Sequence, residues 1–277
     1  MSAAGRVITL MTDFGLSDFF VAAMKGVILS INPQAVVVDV THLIPPQDIE
    51  TAALTLADCY ATFPAGTIHV AVVDPGVGSE RRALLVRSER YFFIGPDNGL
   101  FSFIYRTEAI AEIRQITATR YFRHPVSRTF HGRDIFAPVA AWLSTGVPAD
   151  AFGPVINDPV TFALPSVEVV SARHLRGHVI HVDRFGNLIT NLTEEHVPPD
   201  LIACGGKLII AGREITTIRT HFEEGSAGEP FALVGSTGRV EIAVARDSAA
   251  RLLGVGRGAA VEVLLPTGAT ADPASDR

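Results

Sequence analysis

The chain divides into an α/β N-terminal domain with a mainly parallel sheet, residues 1–165, and a smaller all-β, barrel-like C-terminal domain, residues 166–277. Three observations predict this. Up to about residue 165, β-branched runs alternate with helical stretches, and strands that are apolar on both faces and separated by helices belong to parallel sheets with crossover helices. Beyond that point short strand-like segments follow one another with turn residues between them, the texture of an antiparallel barrel or sandwich. A length of 277 residues also exceeds that of one usual domain.

The elements follow in order. VITLM at 7–11 is a strand, VAAMKGVILSIN at 21–32 a helix, AVVVDV at 35–40 a strand, DIETAALTLADCYATF at 48–63 a helix and IHVAVV at 68–73 a strand. IFAPVAAWLSTG reads as a further helix. Two prolines punctuate DPVTFALPSVEVV, which makes it the linker. The strands of the second domain are GHVIHVD, FGNLIT, GKLIIAG, FALVGSTG, RVEIAVA and AAVEVLL, with DSAARLLG the one helical stretch; the tail TGATADPASDR is expected to fray.

Composition narrows the function. A hydrophobic fraction of 48% with 19% charged residues describes a compact chain rather than a disordered one. The net charge of −6 and the lack of a basic tract argue against a nucleic-acid partner. Cys59 and Cys204 form no CxxC pattern, so neither a zinc site nor a disulfide framework is implied, and a reducing cytoplasm is expected. The N-terminal stretch has no secretion signal and no run approaches a membrane span, so no membrane partner is expected and the sequon Asn191-Leu192-Thr193 reads as chance.

In parallel sheets ligands gather beyond the carboxyl ends of the strands, so the residues after each apolar run carry the functional signal. Asp13, in TDFG, is either a helix N-cap or a carboxylate able to accept from both hydroxyls of a ribose. In VDPGVGSERR the turn chemistry of Asp74-Pro75-Gly76 explains the glycines but not the arginines, and the segment lacks the Lys-Ser/Thr ending of a P-loop. His131 and Asp134 form a polar cluster before a helix, where Asp134 favours the helix N-terminus. Pro96-Asp97-Asn98-Gly99 reads as a tight turn between strands. Asp183-Arg184-Phe185-Gly186-Asn187, with Asn191 beyond it, is either a hairpin turn or a set of donors and acceptors for a polar ligand.

Taken together, TDFG at 12–15, VDPGVGSERR at 73–82, GPDNGL at 95–100, FHGRDIFAP at 130–138 and DRFGNLITN at 183–191 resemble the S-adenosylmethionine hydroxide adenosyltransferases, hydrolases related to fluorinase and chlorinase. The motifs span both domains in the same order. The resemblance implies cleavage of S-adenosylmethionine to adenosine and L-methionine, through attack of a water-derived nucleophile at C5′, with no cofactor and no metal. Its water-handling triad falls on Asp74, Arg81 and His131, with His131 either protonated and stabilising negative charge or neutral and taking a proton. Asp13 matches the ribose carboxylate, Asn187 an adenine contact, Asp183 the methionine ammonium site and Ser236 the methionine carboxylate site; Arg246 borders adenine. Thr237 stands where fluorinase has arginine, a departure at the carboxylate contact, and Gly132 stands at the halide-contacting position of fluorinase, where chlorinase also has glycine. The resemblance further implies a homotrimer with ligand between the first domain of one subunit and the second domain of its neighbour. The competing readings are a halide transferase, a metal-dependent phosphoesterase using Asp13, Asp74, His131 and Asp183, and a non-catalytic adenosine or S-adenosylmethionine sensor.

Overall fold

A computed structural model describes residues 7–163 and 166–267. The chain forms two compact units, Met1–Ala163 and Leu164–Arg277. The expected boundary after residue 165, and all of the fraying tail beyond Thr267, lie outside the described residues.

The first unit runs β1 (Val7–Thr12), α1 (Phe20–Ile31), β2 (Val36–Thr41), α2 (Ile49–Cys59), β3 (Ile68–Val72), β4 (Ala83–Ser88), β5 (Phe92–Pro96), α3 (Ile104–Thr107), β6 (Ile110–Gln115) and α4 (Ala137–Ser144). The sheet order is β2-β1-β3-β5-β4-β6. Strands β2, β1, β3 and β5 are parallel, while β4 runs antiparallel to both β5 and β6, so the sheet is mostly parallel, as its apolar runs predict. Alternation along the strands serves two cores. Ile8, Leu10 and Val70 pack with Met24 and Ile28 of α1 and Val139 of α4; Met11, Ala71 and Phe93 pack with Ala52 and Leu56 of α2. The connections from β1 lead to β2 on one side and, through α2, back to β3 on the other. The strand order therefore reverses between β1 and β3, which opens a crevice at their carboxyl ends.

One local expectation changes. Gly99 does take a turn conformation, φ 95°, but the turn after β5 leads into α3 rather than into a partner strand. The hairpin joins β4 to β5 instead, closed by the Ser88 amide donating to the Tyr91 carbonyl at 3.0 Å. The Asn98 side-chain amide donates to the Val73 carbonyl just past the end of the neighbouring strand β3, at 2.9 Å.

The second unit contains β7 (Glu168–Ser171), β8 (His174–Val182), β9 (Leu188–Thr193), β10 (Lys207–Ile210), β11 (Arg213–Ile215), β12 (Pro230–Val234), β13 (Arg239–Val244), α5 (Ala249–Leu253) and β14 (Ala260–Leu264). All its strand pairs are antiparallel, in the order β11-β10-β14-β8-β9-β13-β12, with β7 also beside β8. The segment after β11 bonds to β12, with the Arg219 amide donating to Ala232 at 2.8 Å and the Ala232 amide to Thr217 at 3.0 Å, so the sheet curls nearly shut. Leu175, Val179, Leu192, Ile242 and Val261 fill it. The helical DSAARLLG is α5, capped by Ser248 accepting from the Arg251 amide at 3.1 Å and ended by Gly254 at φ 66°.

Candidate active site

β1 and β3 are parallel neighbours with Thr12 opposite Val72, so the chain delivers Asp13 and Asp74 side by side where the sheet order reverses. After Asp74 the backbone turns twice, with Val77 donating to Asp74 at 3.2 Å and Ser79 to Gly76 at 3.1 Å. Gly78 is required here. It has φ 79°, and a β-carbon on it would lie 2.1 Å from the Arg128 carbonyl oxygen. That close approach lays the loop against the segment leading to His131.

The loop returns Arg81 onto Asp74. The guanidinium Nε donates to Asp74 Oδ1 at 2.8 Å and Nη2 donates to Oδ2, a two-pronged pair between side chains only 10% and 5% exposed. The Phe136 ring lies 5.2 Å below the guanidinium carbon. Arg81 Nη2 also lies 2.9 Å from His131 Nδ1. A guanidinium only donates, so His131 Nδ1 accepts, and the ring is neutral with its proton on Nε2. Burial and the charge of Arg81 both hold the His131 pKa below its ordinary value.

His131 opens a π-helical turn, Gly132–Phe136, that runs into α4. Asp134 in this turn is fully buried and does more than favour a helix end. It accepts from Arg133 Nε at 2.7 Å and Nη2 at 2.9 Å, from Arg123 at 3.3 Å and from the Ser127 amide at 2.9 Å. Burial opposes its ionisation, but these bonds hold its pKa below the usual carboxylate value. The loop that carries His131 is thereby tied down from inside. A β-carbon on Gly132 would meet Met24 Sδ at 3.2 Å and the Phe14 and Phe130 rings at 3.4 Å.

Asp13 does not cap a helix; α1 begins at Phe20. Its Oδ2 accepts from the Gln47 amide at 2.8 Å, and Oδ1 has no partner among the described residues. Behind it, Thr12 Oγ1 meets His42 Nδ1 at 2.9 Å, and His42 Nε2 lies 3.0 Å from Asp39 Oδ1.

In the second unit the β8–β9 turn borders an open cavity of about 770 Å³, lined by Asp183, Phe185, Asn187, Arg246 and Ser248 among others. Asp183 Oδ1 accepts from the Phe185 and Asn187 amides, both at 2.8 Å, and Oδ2 accepts from Asn187 Nδ2 at 2.8 Å. Gly186 has φ 84°, and a β-carbon there would fall 2.1 Å from Ser248 Oγ. Arg246 holds a left-handed conformation, φ 58°, unusual for a residue other than glycine and typical of binding sites.

The model of the SAM hydroxide adenosyltransferase N-terminal domain matches residues 8–153, and that of the C-terminal domain matches 177–262. The chain belongs to the SAM hydroxide adenosyltransferase family. It is 37% identical over 266 residues to the (R)-S-adenosyl-L-methionine hydrolase of Thermus thermophilus, covering 94% of this chain and 100% of that protein. It is 39% identical to the enzyme of the same name from Salinispora tropica, over 90% of this chain and 94% of the relative. Fluorinases are more distant, 28% identical for that of Actinoplanes sp., over 90% of this chain and 94% of that protein. A crystal structure of a conserved protein from Thermotoga maritima superposes with a TM-score of 0.86 at 32% identity, covering 93% and 99% of the two chains.

Within this family frame, the first unit gathers Asp74, Arg81 and His131 into one bonded cluster beside Gly132, with Asp13 on the neighbouring strand end. The second gathers Asp183, Asn187 and Arg246 around one cavity. Ser236 does not line it. The β12–β13 turn precedes Arg239, which pairs with Thr193, whereas Ile242, nearer Arg246, pairs with Leu188, so Ser236 and Arg246 flank opposite ends of β13. Asn191 is taken up in the sheet, its Oδ1 accepting from the His178 amide at 2.7 Å. Sequence reasoning missed Asn98, Phe136 and the tie made by Asp134. The GPDNGL motif held the signal for Asn98, obscured because Asn-Gly also describes an ordinary turn. Among the described residues no three His, Cys, Asp or Glu side chains converge to hold a metal ion.

Proposed function

We propose that this chain hydrolyses S-adenosyl-L-methionine to adenosine and L-methionine without cofactor or metal. The observation that carries the reading is the Asp74–Arg81–His131 cluster at the crevice between β1 and β3, in a chain whose 36–39% identical relatives bear the name (R)-S-adenosyl-L-methionine hydrolase. The sulfonium of the substrate is already positive and leaves as a neutral thioether, so the leaving group needs no acid. The nucleophile needs help, because ionising water of pKa 15.7 at neutral pH costs about 12 kcal/mol.

Asp74 fixes Arg81 by its Nε and Nη2, and Arg81 Nη1, which has no partner among the described residues, is the donor left for the nucleophile. His131, its Nδ1 occupied, adds Nε2–H. Two preorganised donors stabilise hydroxide character on the attacking oxygen, in the manner of an oxyanion hole. As the O–C5′ bond forms, the C5′–S bond breaks, sulfur takes the electron pair and the water's second proton passes to solvent. Asp13, with one oxygen free of protein partners, holds the ribose diol, and Asn187 and Arg246 hold adenine.

The same reading gives Asp183 to the methionine ammonium, Ser236 to its carboxylate, a homotrimer with ligand shared between neighbouring subunits, and a cytoplasmic location. Leu16 and Phe19, near Asp13, are 70% and 64% exposed, and Phe185, beside the cavity, is 78% exposed; subunit contact would cover such surfaces. Among the described residues no helix is long and apolar enough to cross a membrane.

The test is chromatographic product analysis of chelator-treated protein incubated with S-adenosylmethionine and chloride, alongside Asp74→Ala. Adenosine and methionine, formed by the wild type and lost in the variant, are expected. A chlorinated nucleoside would transfer the assignment to halide chemistry, and loss of activity with chelator would transfer it to a metal enzyme.

A further inference from the structure

The β8–β9 turn carries an inference that rests on reading its cavity as the adenine site. A carboxylate only accepts hydrogen bonds, so the 2.8 Å contact between Asp183 Oδ2 and the Asn187 side chain identifies the NH2 end of that amide. The other end, Asn187 Oδ1, accepts from no described residue, and Asn187 lines the cavity. Adenine joined to ribose through N9 has one hydrogen-bond donor group, its exocyclic 6-amino group. An amide oxygen is the atom that pairs with it, whereas a 6-oxo purine places a carbonyl oxygen there and leaves two acceptors facing each other.

We propose that Asp183 is a positioning residue that sets base selectivity: it holds the Asn187 amide with its oxygen toward the ligand and so selects 6-amino over 6-oxo purines. The geometry makes the device reversible by a single isosteric change. Asp183 Oδ1 accepts from two backbone amides, Phe185 and Asn187, both at 2.8 Å. In Asp183→Asn these two donors keep the oxygen where it is, and the new NH2 replaces Oδ2. A donor now faces Asn187, whose amide turns to offer its oxygen and sends its own NH2 toward the ligand. Selectivity moves toward the 6-oxo base with the turn otherwise unchanged.

Calorimetric titration of the full-length chain with adenosine and with inosine tests this. The wild type is expected to prefer adenosine by about tenfold or more, the scale of a buried acceptor left unpaired. Asp183→Asn is expected to lower that ratio by about tenfold or more. Exchanging the pair, Asp183→Asn with Asn187→Asp, again places an acceptor toward the ligand and is expected to restore the adenosine preference. A loop that merely lost its shape would not be rescued by this exchange. An Asp183→Asn ratio equal to that of the wild type overturns the inference and leaves the adenine-site reading standing. If the single variant binds neither nucleoside, the exchanged pair decides: recovered selectivity supports the inference and its absence overturns it. A wild-type chain that binds no adenosine removes the site reading itself, and the inference with it.

Discussion

The two units build their candidate sites from different materials. In the first, Asp74, Arg81 and His131 lie up to 57 residues apart and are joined by side-chain bonds around a nearly buried guanidinium. In the second, Asp183 to Asn187 are consecutive, and the cavity is shaped by a backbone turn, a glycine in positive φ and Arg246 in a left-handed conformation. Stabilising a developing charge requires fixed donors in a low-dielectric setting, which charged side chains on strand ends and a tied-down helix start provide. Recognising a flat polar base requires one aimed amide and a shaped edge, which a short turn provides. Reactivity and recognition should therefore separate under mutation.

The largest expected effect is on the first region. Arg81→Lys keeps the charge but loses the fork that bonds Asp74 and His131 together, and is expected to lower kcat by about a thousandfold. Adenosine affinity measured by calorimetry should stay within about threefold; a parallel fall in affinity would end the separation.

The second effect concerns stability. His69, fully buried beside Thr9 and stacked on Phe93, has its pKa pushed by burial from 6.5 to about 4. Between those values the unfolded chain binds the extra proton, so stability falls as pH drops through 6.5 and levels off below 4. The loss is about 3 kcal/mol. Urea unfolding at pH 7 and pH 4.5, with and without His69→Gln, should show the variant losing less on acidification, and the first unit giving way first.

A smaller effect is expected in the second region. Gly186→Ala forces a side chain into φ 84° against Ser248, and is expected to raise KM about tenfold with kcat nearly unchanged. A kcat that falls instead would show that the turn reaches into the reaction itself. The smallest is Asn98→Ala, which frees the Val73 carbonyl next to Asp74. It is expected to lower kcat about fivefold at constant KM, on the scale of one hydrogen bond.

Much of this was legible along the chain. The apolar runs of β1 and β3, buried on both faces, announce a parallel sheet, and the turn-punctuated segments after the linker announce the antiparallel one. The strand ends draw attention to Asp13 and Asp74, because a sheet of this class leaves them to ligands, whereas Arg81 and His131 join them only through the resemblance carried by the motifs taken together. The protonation of His131 was not legible. It depends on which ring nitrogen meets Arg81, a contact between residues 50 apart in the chain.

Nor was the division of labour within Asp183-Arg184-Phe185-Gly186-Asn187, since turn and binding site use the same residue types; here the turn's own hydrogen bonds aim the Asn187 amide. By itself the sequence determined the two fold classes, the first run of strands and helices and the residue types available for chemistry, since these rest on local patterns of apolarity and turn propensity. Only the tertiary structure decided which atoms face one another. Hydrogen-bond direction depends on contacts between residues far apart in the chain, and a donor becomes free for a substrate only once every competing partner has been placed.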